Sequence, residues 1–195
     1  MDDYGGSGSS TTFRDMITLA LLGVTIMFLL ILPHIAPKVP PNEAMKPVGE
    51  VTVEAIWAND TPVDVDLWCK GPEDVQAVGY SAKSGRQFNL LRDDVGTYND
   101  PTGINYEIQA SRGIYEGEYI VNLHLYKTDA EFLPVEVTVV ITVTVNNVRD
   151  RLFLEHVVLK HVGDEETVIR FRLDKDGRLI AGSENHIPIG LRGKQ

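Results

Sequence analysis

The 195-residue chain holds a single cysteine, Cys69, and no cluster of basic residues. One thiol excludes an internal disulfide and the paired spacing of a zinc knuckle. The formal charge is −10, and −8 of it lies beyond residue 15. That sign excludes nucleic acid and an anionic lipid surface as partners of the C-terminal part. No Ser/His/Asp order, nucleophile elbow, HExxH or P-loop occurs, so nothing in the pattern points to an enzyme. Positive charge is also too sparse to orient a membrane span, with Arg14 on one side and Lys38 and Lys46 on the other. Finally, no helical period of any length follows residue 50.

What the chain does have is one long apolar run. Met16 to Ala36 carries no charge with His34 neutral. At about 1.5 Å per residue this run reaches roughly 30 Å, one hydrocarbon thickness. A signal peptide would have a basic start, a shorter core and a small-x-small cleavage site. Here an acidic Gly/Ser tail precedes the run, so residues 13–34 are expected to form a retained transmembrane helix behind a flexible cytoplasmic tail, 1–12. Pro33, Pro37, Pro40, Pro41 and Pro47 then predict a semi-rigid, extended linker over 35–49.

From residue 50 to 195 the period becomes two. Strands are expected over 51–57, 63–69, 104–110, 118–126, 135–145, 151–160 and 166–173. In 135–145, Val135, Val137, Val139, Ile141, Val143 and Val145 share one face. Turn residues stand between the runs, at Lys70-Gly71-Pro72, Asp100-Pro101-Thr102-Gly103, Val162-Gly163-Asp164 and Asp174-Lys175-Asp176-Gly177. The expected fold is a single N-terminal transmembrane helix followed by an all-β sandwich, Ig-like or jelly-roll-like, of seven to ten strands.

Asp15 is the residue that calls for an explanation. At a helix start an acid can cap the terminus and meet the positive end of the dipole. Yet Thr18 and Thr25 fall within roughly 80° of Asp15 on the helical wheel, and Leu22 lies on the same stripe. An acid with two hydroxyls on an otherwise apolar cylinder suggests a face that meets protein or water. Acids in that position usually carry protons or ions.

Phe13-Arg14-Asp15-Met16-Ile17-Thr18-Leu19-Ala20-Leu21-Leu22 resembles the membrane helix of the MotB/TolR/ExbD family. The resemblance covers about 22 residues. It implies that Asp15 carries the coupling ion, H⁺ by default or Na⁺, with Thr18 beside it. It further implies a homodimer inside a pentamer of MotA/TolQ/ExbB-like multi-span subunits, in a bacterial inner membrane. The tail would be cytoplasmic and the sandwich periplasmic, facing an unknown periplasmic ligand. Residues 50–195 resemble neither the peptidoglycan-binding domain of MotB nor the small mixed domain of TolR and ExbD. Val65-Asp66-Leu67-Trp68, Gly71-Pro72, Leu91-Arg92-Asp93-Asp94-Val95-Gly96, Asn105-Tyr106-Glu107 and Glu116-Gly117-Glu118-Tyr119-Ile120-Val121 instead resemble secreted bacterial β-sandwiches related to pre-peptidase domains. That likeness implies a binding or spacer module. The rival expectation is accordingly a membrane-tethered sandwich that binds glycan or protein and transports no ion.

Within the sandwich, Asp64, Asp66, Asp93 and Asp94 form the one acidic cluster with a plausible meeting point, and they are the candidate calcium ligands. The bland alternative puts Asp64 and Asp66 on a solvent face and Asp93-Asp94 in a turn. His124, His156, His161 and His186 show no ligand spacing. Trp57 and Trp68 are expected in the core.

Overall fold

The computed structural model describes residues 8–35, 49–96 and 102–192, with side chains of the first segment described from 11 to 31. The expected tail up to residue 7, nearly all of the linker, the Asp100-Pro101 turn and the last three residues lie outside the described residues. The chain divides into two units, Met1–Ala44 and Met45–Gln195.

Among the described residues the first unit holds one helix, α1, Gly8–Ile35. Its window Thr11–Ile31 has a mean hydropathy of 2.0, long and apolar enough to cross a membrane once. The helix starts five residues before the expected Phe13. Ser9 to Thr12 hold no proline, and a helix already nucleated by the apolar run gains one backbone bond for each residue it adds.

The second unit is built of eight strands in two antiparallel sheets. They are β1 (Val51–Ile56), β2 (Asp64–Lys70), β3 (Phe88–Arg92), β4 (Tyr106–Ser111), β5 (Gly117–Lys127), β6 (Val135–Val145), β7 (Val148–Leu159) and β8 (Glu165–Leu173). The larger sheet has the order β3-β4-β1-β6-β7 and the smaller β2-β5-β8. Seven of the eight match the expected runs, and β3 is the addition. Alternation puts Val51, Val53 and Ala55 of β1 and Val135 to Val143 of β6 on the inner face of one sheet. Val65, Leu67 and Cys69 of β2 and Tyr119, Val121, Leu123 and Leu125 of β5 line the other. Phe171 stacks on Tyr119 with ring centroids 5.3 Å apart. Trp57 and Trp68 are both buried, as expected.

β6 and β7 join through Asn146 and Asn147, whose φ angles of 51° and 63° are left-handed. Two such residues between the paired Val145 and Val148 make a type I′ turn, whose twist matches that of the strands it joins.

β4 departs from the ordinary pattern. Its inward residues are polar: Glu107, Gln109 and Ser111, with Asn105 just before the strand, all nearly or fully buried. The reason is β2, whose outer edge has no strand beside it. Glu107 accepts the Leu67 N–H at 2.7 Å through Oε2. Gln109 Nε2 donates to the Leu67 carbonyl at 2.6 Å, and Cys69 exchanges both backbone bonds with Val78. Side chains from one sheet thereby satisfy the backbone of the other, which a buried edge requires.

Candidate functional site

Two places carry the chemistry expected from the sequence. The first is the Asp15 stripe of α1. Asp15 is the eighth residue of the helix, and the first turn contains no acid. A cap must sit at the terminus, so the capping role considered for Asp15 does not apply. It is exposed on the helix surface, about 6 Å inside the apolar window that begins at Thr11. Thr18 Oγ1 donates to the Arg14 carbonyl at 2.8 Å, and Thr25 Oγ1 donates to the Leu21 carbonyl at 2.8 Å. Each hydroxyl proton is thus used within the helix. The oxygen lone pairs remain as acceptors along the stripe.

The second is an acidic cluster between β2 and the β3–β4 region. One carboxylate oxygen from each of Asp66, Asp93 and Glu107 lies within 4.8 Å of the others. Asp64 and Asp66 are buried, not solvent-facing, because the outer face of β2 is covered at this end. Asp66 Oδ2 meets His124 Nδ1 at 2.7 Å, its direct cross-strand partner on β5. Asp93 receives the Lys83 ammonium at 2.6 Å. Glu107 accepts a second N–H, from Asp94, at 3.4 Å.

Asp94 does not join the cluster as a ligand. Its Oδ2 accepts from Arg92 at 2.9 Å and from the Tyr106 N–H at 3.2 Å, while Oδ1 accepts the Gly96 N–H at 3.0 Å. That carboxylate fixes the β3–β4 connection. Glu107 takes its place in the cluster. In the sequence Glu107 stands within Asn105-Tyr106-Glu107, where nothing in the spacing marks a site.

Crowded acids and burial push protonation upward. Burial, followed by the charges of Asp66, Asp93 and Asp94, raises the Asp64 carboxyl to about 7, with Lys127 opposing. Burial raises Glu107 well above the usual carboxylate range, against the hydrogen bond from Leu67. Burial likewise raises the Cys69 thiol. Asp64 and Glu107 are thus the two acids here whose protonated forms are favoured by burial. Asp66, Asp93 and Glu107 are the residues that could hold a calcium ion. Such an ion would compete with Lys83, His124 and two peptide N–H groups for the same oxygens.

The remaining histidines stay apart. His156 meets Thr138, His161 meets Asp164 and His186 meets the Val168 carbonyl. None joins a metal-ligating group among the described residues.

The fold and helix define a class, a β-sandwich domain on a chain whose one N-terminal helix can anchor it in a membrane. Compared with known proteins, this chain matches no family model, no curated protein and no solved structure.

Proposed function

We propose that this chain is the B-type subunit of an ion-driven membrane motor. Two copies lie within a pentamer of MotA/TolQ/ExbB-like subunits in a bacterial inner membrane, with the N-terminus cytoplasmic and the sandwich periplasmic. The observation that supports it is the place of Asp15: in the body of an apolar helix, on one stripe with Thr18 and Thr25. An acid about 6 Å inside an apolar window is costly to keep charged when lipid surrounds it, so a chain keeps one there for a use. Ionised, Asp15 faces a polar path; protonated, it passes an apolar wall. A potential of 100 mV supplies about 2.3 kcal/mol per charge, enough to drive that alternation. The ion's passage then moves the helix pair against the pentamer, and the sandwich delivers the motion to its target. The rival is a tethered binding module without transport; the helix start at Gly8 leaves Asp15 no capping role in it, which supports the first reading.

The test is purification from native membranes followed by ion flux in vesicles. Wild-type chain should emerge as a dimer with a multi-span partner and support flux. Asp15→Asn should keep the assembly and lose the flux. A chain that emerges alone and monomeric, or an Asp15→Asn complex with undiminished flux, overturns the proposal.

A further inference from the structure

On the outer face of the smaller sheet lies a cavity of about 390 Å³, between the residues 76–82 that follow β2 and the C-terminal residues 189–192. Its volume is in the range of small-molecule sites, about 300–1,000 Å³. Ile120, Ile189 and the aromatic rings of Trp68 and Tyr80 give it apolar walls, the two rings packed edge to face at 5.6 Å. Gln76 and Ser81 add an amide and a hydroxyl.

Two further observations set the chemistry. Lys70 and Arg192 both line the cavity, in a chain of net charge −10, and neither side chain forms an ion pair with an acid among the described residues. Second, two buried polar atoms close by have no partner: the Trp68 indole Nε1 and the Asn122 Oδ1. Trp68 and Asn122 are direct cross-strand partners. Asn122 also holds the C-terminal segment, donating through Nδ2 to the Ile189 carbonyl at 2.6 Å. Gln76 and Ser81 can each donate to and accept from a hydroxyl. Paired cations call for a carboxylate.

We infer that this cavity binds a sugar acid, a hydroxylated ring bearing a carboxylate. The carboxylate sits between Lys70 and Arg192. The ring's C–H face lies against Ile120 and Ile189, and its hydroxyls meet Gln76 and Ser81. The inference gives the sandwich of the proposed motor subunit a ligand class. It rests on that reading only for the compartment in which the ligand is met.

The test is calorimetric titration of the full chain in detergent with glucuronate, glucose and acetate, which needs no ion flux and so stands apart from the test of Asp15. Glucuronate should bind saturably. Glucose, lacking the charge, and acetate, lacking the ring, should each bind about tenfold more weakly or worse. Lys70→Gln and Arg192→Gln should each weaken glucuronate binding by about tenfold while leaving thermal unfolding unchanged. No saturable heat with glucuronate overturns the inference. So does acetate or glucose binding as tightly as glucuronate, or an affinity that neither substitution alters.

Discussion

The protonation of Asp64 gives the sandwich a stability that depends on pH in an unusual direction. Its carboxyl titrates near 3.8 in the unfolded chain and at about 7 in the folded one, because burial and the charges of Asp66, Asp93 and Asp94 disfavour the anion. Between those values the folded state binds more protons than the unfolded state. The contribution is therefore complete below pH 3.8 and is lost as the pH rises through 7. Three pKa units amount to about 4 kcal/mol. Solvent near the strand end and the Lys127 charge screen the carboxylate, and we take half of that, about 2 kcal/mol. Glu107 is raised too and acts in the same direction. Asp164, lowered by hydrogen bonds from His161 and Lys160, has the opposite sign: its contribution is present above 3.8 and lost below, outside the range that matters here. Urea unfolding of the full chain in detergent, followed by the fluorescence of Trp57 and Trp68, reads the effect. The wild type should lose about 1.3 kcal/mol between pH 5 and pH 8 from Asp64, the rest being lost already below pH 5. Asp64→Asn keeps the side-chain size and should lose only what Glu107 contributes. A wild-type domain that grows more stable from pH 5 to pH 8, or an Asp64→Asn variant with the full wild-type slope, would refute the reasoning.

Two substitutions test the packing and the hairpin. Gly79→Ala places a Cβ 2.5 Å from the Trp68 ring. Such overpacking should cost about 1–3 kcal/mol and alter the tryptophan emission, and unchanged stability would contradict the contact. Asn147→Ala should cost about 1 kcal/mol in urea unfolding, because φ is 63° there, whereas Asn147→Gly should be neutral or better. Equal losses from both substitutions would show that the turn conformation is not what matters.

Hydropathy alone locates α1, since an uncharged run of that length has few other folds open to it. Alternation locates seven strands for a similar reason: Val135 to Val143 show the same face in sequence and in the core. β3 escapes because Phe88-Asn89-Leu90-Leu91-Arg92 is five residues long and breaks its own alternation. The acidic site was partly legible. Asp66 and Asp93 come together across elements, but Asp64 is not in that group, Asp94 turns back to its own loop and Glu107 arrives from β4. Period two finds a strand without saying which face is inside. On β4 the usual choice is reversed, because the polar face serves the bare edge of β2. A trace of this is present in the sequence: Asn105, Glu107, Gln109 and Ser111 form an unbroken stripe of groups that can both reach and hydrogen-bond a neighbouring backbone. Asp15 is the contrary case. The sequence leaves a cap and a residue within the apolar run both open, and the helix start at Gly8 puts Asp15 in the run.

The place of β1 in its sheet has a mechanical consequence. The chain reaches the sandwich at Val51 and passes at once into a strand hydrogen-bonded on both sides, to β4 and to β6. Tension applied along β1 at that point loads two antiparallel ladders in shear, so their bonds resist together instead of parting one at a time as in a peeled edge strand. A domain attached in this way withstands repeated tugging at its stem, and its lifetime under force is set by the rate at which both ladders fail at once.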